Sequence, residues 1–188
     1  MEESSMARPA QRDCVVVMGP SGVGKTTIAE LLSRRLGWSF AEADEFHPQA
    51  NIDKMTAGVP LTDKDRAPWL ALIRDWISAE AKAGRCSVVT CSALKRRYRD
   101  VLRDAGARVR FLELAADPEL IAGRLAGRKG HYMPPSLLGS QFATLEPLTP
   151  DEDGARISVV AGPEAVGDQA LAALGLAADL RSARGGAR

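Results

Sequence analysis

Residues Gly19-Pro20-Ser21-Gly22-Val23-Gly24-Lys25-Thr26 fit the pattern GxxxxGK[ST] at every fixed position. They follow the apolar run Cys14-Val15-Val16-Val17-Met18 and precede a helical pattern, so a buried strand must hand over to a helix through a tight glycine turn. Gly22 and Gly24 let the backbone curl until successive N–H groups point inward, at the positive end of the following helix. Such a cradle takes a chain of phosphates. Lys25 adds a point charge where the β- and γ-phosphates of ATP would lie, and the Thr26 hydroxyl can ligate Mg²⁺. The motif predicts nucleotide binding and leaves the acceptor open, because proteins of many activities share it.

The rest of the chain supports a sheet built around that strand. Cys14–Met18, Trp38–Glu42, Ser87–Cys91, Val109–Leu114 and Ile157–Val160 read as strands, separated by stretches long enough for crossover helices. Helices are predicted at Thr26–Leu36, Pro68–Ala83, Lys95–Ala105, Pro118–Gly127, Pro135–Thr144 and Pro163–Leu174, several opened by Pro and several stopped by Gly. An α/β fold follows, its five-stranded sheet mainly parallel and covered by helices on both faces. In the second helix Trp69, Leu72, Ile73, Trp76 and Ile77 recur at three- and four-residue intervals and are expected to form one core-facing stripe. With 188 residues the chain suits one domain, taken as 13–176 between flexible tails at 1–12 and 177–188. Residues 44–67 are polar and turn-rich over too long a stretch for a mere connector, so a functional insertion is expected there.

Charge and cysteines narrow the class further. Twenty-five Lys and Arg face 24 Asp and Glu, so no net field draws the protein to nucleic acid or an anionic membrane. Cys14, Cys86 and Cys91 are odd in number and lack a CxxC spacing, which favours reduced thiols and a cytoplasmic location. Met1 to Gln11 has no apolar stretch of signal-peptide length, and no later run approaches the roughly 20 apolar residues of a membrane span.

The segments Asp44-Glu45-Phe46-His47-Pro48, Asn51-Ile52-Asp53-Lys54-Met55, Gly58-Val59-Pro60-Leu61-Thr62-Asp63 and Asp65-Arg66-Ala67-Pro68-Trp69-Leu70 follow one another closely. Together with Cys91-Ser92-Ala93-Leu94-Lys95-Arg96-Arg97-Tyr98-Arg99, Gly130-His131-Tyr132-Met133-Pro134, Ser140-Gln141-Phe142 and Thr144-Leu145-Glu146-Pro147, they closely resemble the P-loop gluconate kinases. The resemblance runs from about Val15 to Leu174, and HPxxNIxKM and DRxPWL are far more specific than the glycine loop. Tyr132, where the family more often has Phe, and Leu148, where a second Pro is common, depart from the pattern without touching a charged group. The resemblance implies a three-layer nucleoside-monophosphate-kinase-like fold with a small lid at about 124–140, ATP with Mg²⁺, phosphorylation of D-gluconate at its 6-hydroxyl, and a homodimer. It also adds Thr27, Arg124 and Pro163 to the nucleotide site, and Lys54 and Gln141 to the acceptor site.

Asp44 falls just past the second strand, where ligands gather in parallel sheets, and can accept the hydroxyl proton. The competing reading makes it a cap for the following turn. Glu42, on the opposite strand face, is a weaker candidate for holding a magnesium-bound water. For the gluconate carboxylate Arg66 comes first, because a guanidinium matches a planar anion with two bonds. Lys95, Arg96 and Arg97 open a helix, where its dipole disfavours cations and a bound anion would relieve them; for Arg96 and Arg97 a solvated basic face is an equal reading. His47 and His131 are the two histidines of the chain, and both fall in acceptor or lid motifs, which makes them substrate candidates. Arg124 and Arg128, one helical turn apart, are expected to meet the charge that spreads over the transferring phosphoryl group, against the alternative of a solvent-facing pair. A kinase of another small hydroxy acid such as shikimate, or a nucleotide switch without a metabolite substrate, are the rival functions.

Overall fold

The structure, a computed structural model, describes residues 11–126 and 136–178, and for 122, 124–126, 136 and 137 it describes the backbone alone. In chain order the elements are β1 (Asp13–Met18), α1 (Lys25–Leu36), β2 (Ser39–Glu42), a 3₁₀ turn (Ala43–Phe46), α2 (Gln49–Thr56), α3 (Asp63–Lys82) and β3 (Ser87–Thr90). There follow α4 (Arg96–Arg103), β4 (Arg108–Ala115), α5 (Pro118–Ala126), α6 (Ser136–Thr144), β5 (Gly154–Ser158) and α7 (Pro163–Ala173). The five strands form one sheet in the order β2-β3-β1-β4-β5, with every neighbouring pair parallel. This is the α/β architecture that the strand and helix pattern predicts.

The central place of β1 explains its composition. Val15 and Val17 face a core with Ile28, Leu32 and Leu36 of α1 and Val166 and Leu171 of α7. Cys14, Val16 and Met18 face the opposite core, with Trp69, Ile73 and Ile77 of α3 and Tyr98 and Leu102 of α4. Successive residues point to opposite faces, so a strand covered on both must be apolar throughout. No helix among the described residues is long and apolar enough to cross a membrane.

Three elements differ from the sequence expectation. Helix α3 begins at Asp63 instead of Pro68, because the Thr62 hydroxyl accepts from Asp65 N while the Asp65 carboxylate accepts from Thr62 N, a reciprocal cap. Pro68 then sits exposed inside the helix, and the carbonyl it leaves unpaired belongs to the exposed Lys64. Leu72, predicted in the core stripe, is 48% exposed, whereas Trp69 is buried and Trp76 packs against the core edge beside Phe46. Strand β5 starts three residues before the predicted Ile157, where the Gly154 backbone lies against the Phe111 carbonyl too closely for a side chain. The stretch 44–67 is not a loop throughout, since it holds the 3₁₀ turn, α2 and the first turn of α3.

One buried ion pair ties the loop after β3 and the start of α4 to the stretch between α6 and β5. Arg99 of α4 donates from Nε and Nη2 to the two oxygens of Glu152, each at 2.7 Å, with both side chains fully buried. Its Nη1 donates to the carbonyls of Ala93 at 3.2 Å and Glu146 at 3.0 Å. Ala93 is held there at φ 42°, in the left-handed region. Burial opposes the Glu152 charge, yet the guanidinium and the Thr149 N–H hold its pKa down at about 2. Glu152→Ala is expected to lower the unfolding free energy by about 3–5 kcal/mol in urea denaturation, because it strands a guanidinium in the core. A loss below about 1 kcal/mol, the range of an exposed pair, would show that the pair is not sealed from water.

Candidate active site

The glycine loop is shaped by contact with β4. Gly19 has φ +136°, and a Cβ there would stand 2.8 Å from the Leu114 carbonyl oxygen, so this position must be glycine. Gly22 and Gly24 also have positive φ, 80° and 101°, and Gly24 leads directly into α1. The first N–H groups of that helix therefore open onto the loop's concave side. The Lys25 ammonium folds back onto the Pro20 carbonyl at 3.1 Å. Burial pushes its pKa down, and the charges of Asp44 and Glu42 pull it back up. Gln141 of α6 accepts from Ser21 N at 2.6 Å, which ties the loop to the far wall of the site.

Two clefts meet at this loop. On one side Gly22, Val23, Gly24, Thr27, Val159 and Pro163 line a cavity of about 260 Å³, whose walls are mostly apolar. An aromatic base fits such walls better than a sugar acid does. On the other side Ser21, Lys25, Asp44, His47, Arg66 and Gln141 line a polar cleft. It continues past Arg66 and Gln141 to Asp63, Lys95 and Tyr98. The insertion expected at 44–67 supplies Asp44, His47 and Arg66 from the 3₁₀ turn, the link to α2 and the first turn of α3.

Asp44 projects from the 3₁₀ turn with a side chain 77% exposed, and no side-chain cap holds that turn. The capping alternative for Asp44 is therefore corrected: its carboxylate stands 4.0 Å from His47 Nε2 and electrostatically faces Lys25. His47 is buried, stacked on Trp69 at a centroid distance of 4.2 Å and an angle of 10°. Burial lowers its pKa to about 4, with Asp44 opposing that shift and Arg66 adding to it. Glu42 accepts from the Thr90 hydroxyl at 2.5 Å through Oε2, while its Oε1 is buried without a hydrogen-bond partner among the described residues.

The basic candidates separate by their partners. Lys54 is paired with Asp65 at 2.7 Å and is not among the residues lining the cleft. Lys95 is paired with Asp63 at 3.2 Å, and Arg97 and the Tyr98 hydroxyl bond the same carboxylate. Arg96 pairs with Asp151, and its backbone N–H donates to Glu146 at 2.7 Å. The cations at the start of α4 are thus relieved by the chain's own carboxylates, which corrects the argument that they need a bound anion. Among the described residues no carboxylate pairs with Arg66, whose guanidinium lies 5.7 Å from the Tyr98 ring centroid. Arg128 and His131 lie outside the described residues, and Arg124 is described only as backbone of α5. Sequence reasoning missed Ser92, Tyr98 and Ser140 as cleft-lining residues, although each falls inside a motif quoted above.

A phosphate loop at the carboxyl edge of a parallel sheet, with an apolar cleft on one side and a polar, carboxylate-bearing cleft on the other, defines a P-loop kinase of a small molecule. The family model described as an AAA domain matches residues 14–148. A gluconokinase of Gluconobacter oxydans (strain 621H) is 52% identical over 152 residues, covering 81% of this chain and 85% of the relative. The crystal structure of a sugar kinase from Janibacter sp. HTCC2649 superposes with a TM-score of 0.86 at 50% identity, covering 90% of this chain and 98% of that one. That of a gluconokinase from Sinorhizobium meliloti 1021 gives a TM-score of 0.80 at 39% identity, with 93% and 99% covered. The chain belongs to the gluconokinase family.

The depressed His47 pKa has a measurable consequence. The unfolded chain takes up the imidazole proton near 6.5 and the folded chain only near 4, so between these values the unfolded state binds more protons. Folding stability is therefore expected to fall as the pH drops from about 6.5 towards 4. His47→Phe, which keeps the ring stack, should remove that part of the dependence in urea unfolding compared at neutral and mildly acidic pH. An unchanged slope would mean that His47 titrates as an ordinary histidine.

Proposed function

We propose that this protein transfers the γ-phosphate of ATP to the 6-hydroxyl of D-gluconate. The observation that carries the reading is the polar cleft, in which Asp44 faces Lys25 while Arg66 lies further along with no paired carboxylate among the described residues. The adenine ring occupies the apolar cleft beside Thr27 and Pro163, and the phosphates lie in the Gly19–Thr26 loop against the N–H groups from Gly22 to Thr26. Arg66 takes the gluconate carboxylate in two bonds, and Gln141, Lys95 and His47 bound the hydroxyl chain.

The hydroxyl oxygen attacks the γ-phosphorus as the bond to the β,γ-bridging oxygen breaks, ADP leaves, and the hydroxyl proton passes to Asp44. Lys25 follows the charge onto the transferring group, a task reserved in this reading also for Arg124 and Arg128, with His131 on the acceptor side. The residues present fit Mg²⁺. The Thr26 hydroxyl stands exposed at the end of the loop, and Glu42 has one buried carboxylate oxygen without a partner among the described residues, suited to a metal-bound water. Bound there, the ion would neutralise charge on the β- and γ-phosphates. The reading takes the protein as a cytoplasmic homodimer, as the family resemblance implies, and its three free cysteines fit a reducing compartment.

ADP release from ATP·Mg²⁺ should rise steeply when D-gluconate is added; equal release with and without it would contradict the acceptor. In the same assay Asp44→Asn is expected to lower kcat by roughly 10²–10⁴ while the KM for ATP changes little. Single-turnover transfer within about threefold of the parent would remove Asp44 from the chemical step.

A further inference from the structure

Behind the polar cleft lies a buried amide to which the phosphoryl-transfer chemistry assigns no part. Asn51, in the first turn of α2, is 4% exposed and lines none of the clefts described above. Its Nδ2 lies 2.9 Å from the Asp65 carbonyl oxygen and 3.3 Å from His47 Nδ1. A carbonyl can only accept, so the amide nitrogen, and not its oxygen, faces Asp65. The second hydrogen of that nitrogen is then available to His47 Nδ1, which must accept it. A neutral imidazole that accepts at Nδ1 carries its proton at Nε2.

The ring that Asn51 orients is held from its other sides as well. Its face stacks on Trp69, whose Nε1 donates to the Ala43 carbonyl at 2.7 Å, one residue before Asp44. The edge bearing Nε2 faces Asp44, with Oδ1 4.0 Å away. The charged groups around the ring are Asp44 and Arg66; burial keeps the imidazole neutral, with Arg66 adding to that effect and Asp44 opposing it.

We infer that Asn51 is a positioning residue: it fixes His47 as the Nε2–H tautomer, so that an N–H donor and not a lone pair is presented to the Asp44 carboxylate. A donor there holds the Asp44 carboxylate oriented towards the cleft, whereas a lone pair would repel it. The inference rests on the role proposed for Asp44, but the tautomer itself does not depend on which acceptor is used.

The test uses the full chain with ¹⁵N-labelled histidine, the His47 signals being assigned by their loss in His47→Gln. At neutral pH the imidazole nitrogen shifts should show Nε2 protonated and Nδ1 bare. Asn51→Leu should move His47 towards a mixture of tautomers and lower kcat about tenfold at unchanged KM for ATP, the usual cost of losing a group that orients a functional histidine. Should that variant fail to fold, two His47 variants decide. His47→Gln keeps an N–H donor and should retain about tenfold more kcat than His47→Phe, which keeps only the ring stack. An Nδ1–H tautomer in the parent protein, or a Phe variant as active as the Gln variant, would overturn the inference. If gluconate proved to be the wrong acceptor, ADP release would fail to respond to it while the tautomer measurement stood.

Discussion

The Gly19 backbone passes so close to the Leu114 carbonyl that a side chain has no room, and the remainder of the site follows from that approach. It fixes the end of β1 against β4 and turns the chain sharply at the carboxyl edge of the sheet. From there the loop must pass through Gly22 and Gly24 with positive φ before α1 begins, which is what bares the helix's first amides to an anion. Lys25, the first residue of that helix, then falls between the two clefts. A substitution at Gly19 would disturb both clefts at once, although it touches neither directly.

The two sides of the loop divide the work by polarity. Residues of α1 and the segment around Val159 and Pro163 make one wall apolar, because Val23, Ile28, Val159 and Val166 of that wall also belong to the core under β1 and β4. The opposite wall comes from the 44–67 insertion, which carries its polar groups on short helical turns pinned to the body by Trp69 and by the Asp65 cap. Within that wall the carboxylates are distributed so that most cations are already satisfied. Asp63 takes Lys95, Arg97 and Tyr98, and Asp65 takes Lys54. Arg66, without a carboxylate among the described residues, keeps its binding capacity for a ligand anion.

What could be read from the sequence was chemistry carried by local pattern. The glycine loop, the alternation of strands with helices and the central β1 were legible because each is written within about ten residues. The start of α3 was misread, since Pro68 mimics a first-turn proline, although Thr62 and Asp65 spelled the cap that sets the true start. Helix α2 went unnoticed because eight mostly polar residues give little periodicity. Strand β5 lies at the sheet edge, where burial does not impose an apolar run, so the apolar residues after it drew the prediction downstream. No local pattern reveals which cations are already paired: Lys95 meets a carboxylate 32 residues away and Arg96 one 55 residues away. The same limit hid the bond from Asn51 to His47, whose meaning depends on the ring's orientation.

The central claim is that the loop hands a phosphoryl group from the apolar cleft to a hydroxyl in the polar one. It is tested most directly by following the γ-phosphate of ATP with ³¹P NMR in the presence of D-gluconate. The account predicts that the signal reappears as a phosphomonoester coupled to the two protons of a primary carbon, with little inorganic phosphate. Inorganic phosphate as the main product, formed at the same rate with or without gluconate, would contradict it.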